Sequence, residues 1–542
     1  MRRMGKIIKL RYKIVFVLIL ALQAMYMFYW GTQKSGYYVD EFFTYDNTHY
    51  ISASTPERVK LYDADFMEYG KWFDVSELKS TLTVERDESL LQDSLQDNIK
   101  AFLKWPYMAV LNYVEAVFFD GQMNWWSALS INMICFLINQ IIMYLIVRKL
   151  EYDEKTAFIA MALYGFSGMA ISMFIYVRMY MWLTFLTSIF TYLHVLMWKE
   201  QCWWKNVLYE ILAMGLLFIL YKNSPLPVLY GVALIACFTI GLCVRKRWIQ
   251  IGYYSVPIFV IGIAYAALKT DYISIFKNPA QALASGNTNV STQSLLTNML
   301  ALNLREFISR LQDFVQMVYR FLFGHSFVVI FYVILLCLFV LFIFFGYKNK
   351  NIKEEIHNKC VKFEIIIWGA IVIYMMASII FRLNVIRYNS FIYPEISIVV
   401  VMLFAYLNRY VHKDKVFVWA CCIALAGEIF YTVSVPRIEN LYREDREGVN
   451  TIRQYKGIDS VVIDYKWDDR VMYECLAYTD EATKVMFVKY GDIEYSNLED
   501  TLLVWQSVNE SEDILQELLD AGYTYITGIA QTHESRVYLC KR

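Results

Sequence analysis

The chain has 542 residues, of which 51 are basic and 51 acidic, so its formal net charge is zero. Charged residues make up 19%, against roughly 25% in soluble domains, and aromatic residues make up 17%. This composition excludes a disordered, collagen-like or disulfide-rich chain, and the neutral balance gives no support to nucleic-acid binding. The length fits about three to four domains, or one large membrane body with appendages.

Apolar runs near the ~20 residues that a bilayer core requires recur along the chain and predict eleven membrane spans. The first run follows a basic N-terminus and ends in Tyr26-Met27-Phe28-Tyr29-Trp30 rather than in a cleavage site, which predicts an uncleaved span with an interfacial aromatic belt. The predicted spans are 13–30, 125–147, 156–176, 179–198, 206–221, 226–244, 249–268, 326–346, 363–381, 394–411 and 416–434.

Lysine and arginine concentrate in alternate short loops, which predicts that these loops and the N-terminus are cytoplasmic. An odd number of spans then places the C-terminus outside. Three long segments fall on the outer side: 31–124, 269–325 and the tail 436–542. We therefore predict a polytopic α-helical membrane domain over 1–435.

The tail has a soluble composition and predicts a small extracytoplasmic α/β domain over 436–542. Short buried strands are predicted at 461–463, 485–488, 502–505 and 523–526, and helices at 442–455, 469–478 and 511–521. Cys475 and Cys540 could form a disulfide there or remain two free thiols. No catalytic or metal pattern appears in the tail, which favours an accessory or acceptor-binding role over an independent catalytic one.

The segment just after the first span carries two adjacent carboxylates, Asp40 and Glu41, among aromatic and apolar neighbours. A carboxylate held beside the membrane surface can act as a general base on a hydroxyl group. The alternatives are a solvated loop pair or the acidic first turn of a helix.

This acidic pair resembles the Asp-Glu motif of the C-type (GT-C) membrane glycosyltransferases, which include the protein O-mannosyltransferases, the lipid A aminoarabinose transferases and bacterial family-39-like enzymes. Three further stretches resemble elements of that superfamily, so that the resemblance covers roughly 10–435. They are 105–150, the Arg-Met-Tyr element at 176–180 and the Arg-Tyr…Pro element at 387–394. One departure is clear: where many bacterial relatives carry Asp-x-His-Pro-Pro, this chain has Phe102-Leu103-Lys104-Trp105-Pro106.

The resemblance implies transfer of a hexose or pentose from a polyprenyl-phosphate donor to an acceptor hydroxyl, with inversion, at the outer face of a bacterial plasma membrane. Asp40 would be the base and Glu41 its neighbour or a positioning group. The acceptor, a cell-surface polymer, lipid or protein of the cell envelope, stays open, and so does the alternative that the same face lies in the endoplasmic reticulum lumen.

Cations at the outer ends of spans are candidates for holding the leaving phosphate, because a charge at a span edge is costly unless it has a function. The predicted substrate-binding and phosphate-binding residues are Arg178, Tyr180, Lys222, Arg387 and Tyr388. Snorkelling to lipid headgroups is the alternative and is favoured for Arg382. Arg305, Arg310 and Arg320, on an amphipathic helix predicted at 301–323, could also meet headgroups.

No metal is obligatory in this chemistry, because the leaving group is already a phosphate. A divalent metal stays open: His49 or His325 could join Asp40 or Glu41, although neither lies in a metal-binding spacing. The alternative function, from another class, is a lipid-linked-glycan transporter or a catalytically silent membrane partner. The missing His-Pro element favours the silent partner slightly, whereas the large first outer loop favours an enzyme.

Overall fold

A computed structural model gives the fold. It describes residues 2–53, 69–119, 123–255, 258, 304–322, 362–381, 383, 385–411, 421–423, 426–427, 429–430, 432–433, 438–464, 469–489, 498–509 and 514–542.

The helices of the first half of the chain are α1 Arg2–Gln33, α2 Val39–Tyr50, α3 Val75–Ser80, α4 Leu95–Lys104, α5 Pro106–Phe118, α6 Trp125–Lys149, α7 Glu154–Gly165, α8 Gly168–Ile175, α9 Tyr180–Lys199, α10 Trp203–Asn223 and α11 Leu226–Val244. The later ones are α12 Leu304–Leu322, α13 Phe363–Ile380, α14 Ile386–Asn389, α15 Tyr393–Val411, α16 Arg446–Ile452, α17 Asp469–Tyr478 and α18 Leu515–Asp520.

Within the described residues, seven helices are long and apolar enough to cross a membrane, or eight if a bent pair counts as one span. They correspond to the predicted first, second, fourth, fifth, sixth, ninth and tenth spans, and the bent pair corresponds to the third. The chain is an integral membrane protein, and the predicted polytopic helical fold is confirmed for these spans. Most of 249–268 and 416–434 and all of 326–346 lie outside the described residues.

The bent pair differs from the single straight span that the sequence predicts. Helices α7 and α8 meet at 54°. Between them, the Ser167 hydroxyl donates to Tyr164 O (2.6 Å) and accepts from the Ala170 N–H (3.2 Å). A serine at the break therefore binds a carbonyl in the last turn of α7 and caps the start of α8, which explains the position of the bend.

Two compact units divide the chain, and each contains segments that are distant in sequence. The membrane unit comprises 1–27, 133–173 and 179–438. The second unit comprises 28–132, 174–178 and 439–542, and it is called the outer unit here because it contains segments that the sequence predicts to lie outside. In the membrane unit α11 packs on α13, α9 on α10 and α7 on α15. The predicted domain boundary at 435/436 stays a prediction.

The outer unit contains a six-stranded sheet in the order β1-β3-β2-β4-β6-β5. The strands are β1 Trp72–Asp74, β2 Ser460–Asp464, β3 Lys484–Lys489, β4 Thr501–Ser507, β5 Tyr525–Gln531 and β6 Ser535–Lys541. The β3, β2 and β4 strands are parallel, and the other pairings are antiparallel. The predicted α/β fold of the tail is confirmed, with β6 and β1 as strands that the sequence analysis did not predict.

Strand β1 comes from the first outer segment and pairs with β3 of the tail, so that segment and the tail share one sheet. One face of the sheet buries a core of Val461, Ile463, Leu502 and Val504 against Ile514 and Leu518, which flank or lie in α18. Cys475 and Cys540 are buried free thiols, which is the second of the two alternatives predicted for them.

Candidate active site

The candidate site begins where α1 ends and α2 starts, within the outer unit. The chain leaves α1 at Gln33, is extended at Tyr38, and re-enters a helix at Val39. Asp40 and Glu41 therefore occupy the first turn of α2, where the helix dipole favours negative charge. Of the alternatives given above, the acidic first turn is the observed one, but it is not solvated: Glu41 is fully buried and Asp40 is half-buried.

Four donor contacts surround the Glu41 carboxylate. The Lys34 ammonium donates to both oxygens at 3.0 Å, with both side chains fully buried. The backbone N–H of Val177 donates at 2.7 Å, and that of Tyr38, the N-cap of α2, at 2.8 Å. Glu41 thus supplies the acidic half of a capping box and ties three chain segments together.

Burial raises the pKa of the Glu41 carboxyl, and the Lys34 charge with the N–H groups of Val177 and Tyr38 opposes that rise. Burial likewise lowers the pKa of the Lys34 ammonium, and Glu41 opposes that shift. A buried carboxylate enclosed by donors in this way suits a structural role better than proton transfer, because its lone pairs are already engaged.

Asp40 has different surroundings although it is the adjacent residue. Its Oδ2 accepts a hydrogen bond from the Tyr176 hydroxyl at 3.0 Å. The Arg178 guanidinium donates from Nη1 to the backbone oxygen of Asp40 (2.9 Å) and to the Thr44 hydroxyl (3.1 Å). Two elements that the sequence singled out separately, the acidic pair and the Arg-Met-Tyr element, therefore meet here.

The segment that carries Tyr176 and Arg178 is held by Asn132. The Asn132 amide donates to Phe174 O at 2.9 Å and to Tyr176 O at 3.0 Å. These bonds satisfy backbone carbonyls where α8 ends, and the Val177 N–H is presented to Glu41. Asn132 is fully buried. By holding this segment, it positions the Tyr176 hydroxyl against Asp40 and the Val177 N–H against Glu41.

The tail closes on the same turn from its N-terminal loop. Asn440 and Tyr442 both have left-handed backbone angles, with φ of 62° and 50°. The Asn440 carbonyl accepts from the Lys34 ammonium at 2.9 Å, and the Leu441 carbonyl accepts from the Ser35 N–H at 3.1 Å. The loop with these strained backbone angles thus supplies a further hydrogen-bond acceptor to the Lys34 ammonium.

Arg446, in the first turn of α16, caps the end of α1. Its Nη2 donates to the carbonyls of Thr32 (3.2 Å) and Gln33 (3.0 Å), and its Nε donates to the Ser35 hydroxyl (3.0 Å). A helix C-terminus exposes unpaired carbonyls and carries partial negative charge, so a guanidinium is a suitable cap.

Gly36 is required by the close approach of the tail to this turn. A Cβ at this position would lie 2.9 Å from Tyr442 Cβ, 3.1 Å from Tyr478 Oη and 3.2 Å from Asp445 Oδ2. The Tyr478 hydroxyl also accepts the Tyr37 N–H at 3.3 Å. Only a residue without a side chain fits between these groups without displacing one of them.

Four of the predicted binding residues belong to the membrane unit, and their sharing of one site with Asp40 stays a prediction. Tyr180 is buried at the start of α9. The Lys222 ammonium, in the last turn of α10, lies 5.5 Å from the Phe218 ring. Arg387 and Tyr388 form the short helix α14, with the guanidinium 5.4 Å from the Tyr388 ring.

Asn389 fixes the turn that carries Arg387 and Tyr388. Its Oδ1 accepts from the Tyr374 and Ser378 hydroxyls at 3.0 and 3.1 Å, and its amide donates to Leu383 O and Val385 O at 2.7 and 2.9 Å. The Arg-Tyr-Asn sequence therefore combines two candidate ligand-binding side chains with a buried amide that holds their backbone.

Other candidates have structural partners or lie outside the described residues. The predicted amphipathic helix is observed as α12, and its Arg310 is buried and donates to Ile379 O (3.0 Å) and Ile380 O (3.2 Å). Arg310 caps the end of α13, so the headgroup role suggested for it is wrong. His49 is buried against the Thr83 carbonyl. Arg382 and His325 are outside the described residues.

Sequence reasoning missed Lys34, Asn132 and the loop at Asn440. Lys34 carried the clearest signal, since it is a cation directly after the first span on the predicted outer side. Its partner could not be read from spacing, because the turn between α1 and α2 is extended rather than helical.

No family model matches this chain, and no curated protein matches it. Among solved structures, it is similar to ArnT from Cupriavidus metallidurans bound to undecaprenyl phosphate, with 10% identity, a TM-score of 0.49, and coverage of 96% of this chain and 97% of that chain. It is also similar to apo ArnT from the same organism, with 11% identity, a TM-score of 0.40 and coverage of 98% of both chains.

With identities of 10–11% and TM-scores below 0.5, neither likeness assigns an activity to this chain.

Proposed function

We propose that this protein is an integral membrane glycosyltransferase that moves a sugar from a polyprenyl-phosphate donor to an acceptor hydroxyl. The observation that carries the proposal is the contrast within the acidic pair. Glu41 is buried and enclosed by donors, whereas Asp40 is half-buried and holds a hydrogen bond from Tyr176 with Arg178 alongside. One carboxylate builds the turn, and the other is presented for chemistry.

In the proposed reaction Asp40 accepts the proton of the acceptor hydroxyl while that oxygen attacks the anomeric carbon. The bond from the anomeric carbon to the donor phosphate oxygen breaks, and its electron pair leaves with the phosphate. A single displacement of this kind inverts the anomeric centre. The leaving group carries its own charge, so the protein supplies positioning and electrostatic stabilisation rather than a strong acid.

Arg178 is proposed to bind the phosphate of the donor. Its Nη1 is used by Asp40 O and Thr44, while its Nε is buried and has no hydrogen-bond partner among the described residues. A guanidinium can bind phosphate oxygens with two parallel hydrogen bonds. Arg387, Lys222, Tyr180 and Tyr388 are proposed as further phosphate-binding and substrate-binding residues.

The donor class is taken from the sequence resemblance. Undecaprenyl phosphate, the lipid named for the ArnT structure, is a polyprenyl phosphate of the same class. We propose the outer face of a bacterial plasma membrane as the location, with a cytoplasmic N-terminus. In support, the outer unit gathers the segments predicted to lie outside: the first outer segment, the outer ends of the first three spans, and the tail.

The test is turnover of a lipid-linked donor. Purified protein in detergent would receive a panel of radiolabelled polyprenyl-phosphate sugars with a mixture of candidate acceptors. We expect transferred or released sugar from one donor, and a loss of roughly 10²–10⁴-fold in Asp40→Asn, the usual range for removing a general base. Asp87→Asn, an exposed carboxylate in the same outer segment, is the matched control and should retain full turnover.

Two outcomes would count against the proposal. Turnover that survives in Asp40→Asn would remove Asp40 as the base. Donor binding without turnover in either protein would favour the silent partner or transporter. The reason would then be Phe102 and Lys104, which stand where the Asp-x-His-Pro-Pro element has its aspartate and histidine.

A further inference from the structure

The tail contains a second group of ionisable side chains that the proposed reaction does not use. Asp445, Glu474 and His533 each offer a ligand atom, and these atoms lie within 4.8 Å of one another. They come from three separate elements: the 3₁₀ turn 443–445 that precedes α16, the middle of α17, and the loop between β5 and β6. Asp445 and Glu474 are only 2% and 1% exposed.

Hydrogen bonding among the three groups is incomplete. His533 Nδ1 pairs with Asp445 Oδ2, and the same nitrogen lies 3.1 Å from Glu474 Oε1. A ring nitrogen carries one proton at most, so it can serve only one of the two carboxylate oxygens. Glu474 Oε1 is left buried with no hydrogen-bond partner among the described residues. Such an oxygen is costly unless another positive group reaches it.

The surroundings hold the ligand atoms in place. The other oxygen of Glu474, Oε2, accepts from the hydroxyls of Thr532 and Ser535, so Oε1 must face the cluster. The Tyr442 ring stacks on the His533 ring with centroids 3.8 Å apart. Hydrogen bonds from a second layer that orient carboxylate and imidazole ligands are typical of metal centres.

The charge balance also indicates a cation. A protonated imidazole between two carboxylates leaves one net negative charge, whereas a divalent cation with a neutral imidazole leaves none.

We propose that Asp445, Glu474 and His533 bind a divalent transition-metal ion, and that the ion fixes the loop behind the candidate active site. Two carboxylates and one imidazole form a hard, nitrogen-and-oxygen ligand set that suits Zn²⁺ or Mn²⁺, and three protein ligands leave a position for water. This inference does not depend on the proposed glycosyl transfer, because metal binding is measured directly.

The metal-binding cluster is connected by contacts within the outer unit to the turn between α1 and α2, which carries Lys34. Asp445 Oδ2 would lie 3.2 Å from a Cβ at Gly36, and Tyr442, which stacks on His533, lies under the Lys34 ammonium at 5.8 Å. The carbonyl of Asn440 binds the same ammonium. An ion that fixes Asp445 and His533 therefore fixes the loop that holds Lys34, and through Lys34 it fixes Glu41.

The test measures metal content. The full chain, purified in detergent and stripped with a chelator, would be dialysed against micromolar Zn²⁺ or Mn²⁺, and bound metal would be counted by inductively coupled plasma mass spectrometry. We expect about one ion per chain, lost in Asp445→Asn and in His533→Asn. Glu444→Gln, an exposed carboxylate next to Asp445, is the matched control and should bind as the wild type does. No stoichiometric binding, or full binding in both variants, would overturn the site.

A second measurement keeps the proposal falsifiable if the variants do not fold. X-ray absorption of the zinc-loaded wild type should show nitrogen and oxygen neighbours, including one imidazole, at about 2.0–2.2 Å. Sulfur neighbours would assign the metal to cysteines instead and would overturn the proposal. Full metal loading in Asp40→Asn would separate this site from the acidic pair at the active site.

Discussion

Two regions of the outer unit solve the same problem, a buried carboxylate, in different ways. At the turn between α1 and α2, Glu41 is enclosed by Lys34 and two backbone N–H groups, so the protein itself supplies all the compensation. In the tail cluster, two carboxylates share one imidazole, and one oxygen has no hydrogen-bond donor among the described residues.

The difference indicates which region is structural in itself and which is incomplete without a ligand. A saturated carboxylate has no capacity for a further partner, whereas an unsaturated one retains that capacity at a cost in stability. By the same reasoning Asp40 is the chemically available member of its pair, because its side chain is only half-buried, whereas the Glu41 carboxylate is fully buried against the Lys34 ammonium.

The largest expected effect on stability comes from breaking the saturated pair. Lys34→Met would leave the Glu41 charge buried and unpaired, which typically costs about 3–5 kcal/mol, so the apparent Tm in detergent should fall strongly. Adding Glu41→Gln should recover part of that loss, because the uncompensated charge is then removed. Lys100→Met is the matched control: its ion pair with Asp97 is exposed and screened by solvent, so the apparent Tm should change little.

Equal Tm losses for Lys34→Met and Lys100→Met would contradict the assignment of Glu41 as a structural carboxylate. So would a double variant less stable than Lys34→Met alone.

The second effect tests Asp40 rather than Glu41. Tyr176→Phe removes the hydroxyl that donates to Asp40 Oδ2, and a hydrogen bond to a charged group is worth about 1.5–3 kcal/mol. We expect kcat to fall by roughly tenfold or more with donor KM little changed, and the apparent Tm to fall modestly because a hydrogen bond is lost. Tyr525→Phe, a half-exposed tyrosine on β5, is the control. An unchanged kcat, measured with whichever donor of the panel is turned over, would separate Tyr176 from the chemistry.

The sequence predicted what local patterns can encode. Long apolar runs in the sequence predicted the spans that the structure describes. Helix α17 was predicted over 469–478, where it is observed. Strand β6 was missed because it alternates buried and partly buried residues instead of forming a continuous apolar run. Strand β1 has three residues, and its partner β3 lies hundreds of positions away, so no local signal could identify it.

The same limit applies to the candidate site. The acidic pair and Arg178 were predicted because each lies in a recognisable element beside a span. Lys34, Asn132 and Asn440 were not, because their roles depend on an extended turn and a left-handed loop. Asp445, Glu474 and His533 lie far apart in sequence with no ligand spacing, so only the folded tail brings them together.

A smaller effect is expected at the turn itself. In Gly36→Ala the new methyl would lie 2.9 Å from Tyr442 Cβ, which should cost about 1–3 kcal/mol through overpacking and displace the tail loop. Gly215→Ala is the control, since no atom lies within 4 Å of its Cβ position in α10, and it should be neutral or slightly stabilising. If Gly36→Ala is as stable as the wild type, the loop at Tyr442 does not pack against the turn between α1 and α2 as closely as the distances indicate.

A dependence of stability on pH completes the comparison with a third buried carboxylate. Among the residues that the structure describes, no lysine or imidazole pairs with Glu115 of α5; the Ser127 hydroxyl donates to it at 2.9 Å, and burial raises its pKa to about 8. Between the unfolded pKa, about 4.3, and about 8, the folded state keeps the proton that the unfolded state loses. The free energy of unfolding should therefore fall as pH rises through this window, by at most about 1.4 kcal/mol per pH unit.

Glu115→Gln removes this dependence, so its apparent Tm relative to wild type should increase from pH 5 to pH 8, whereas the exposed control Glu85→Gln should follow the wild type. Parallel curves for Glu115→Gln and wild type would mean that Glu115 is ionised in the fold, and that burial without a cation does not keep a carboxyl neutral in this unit.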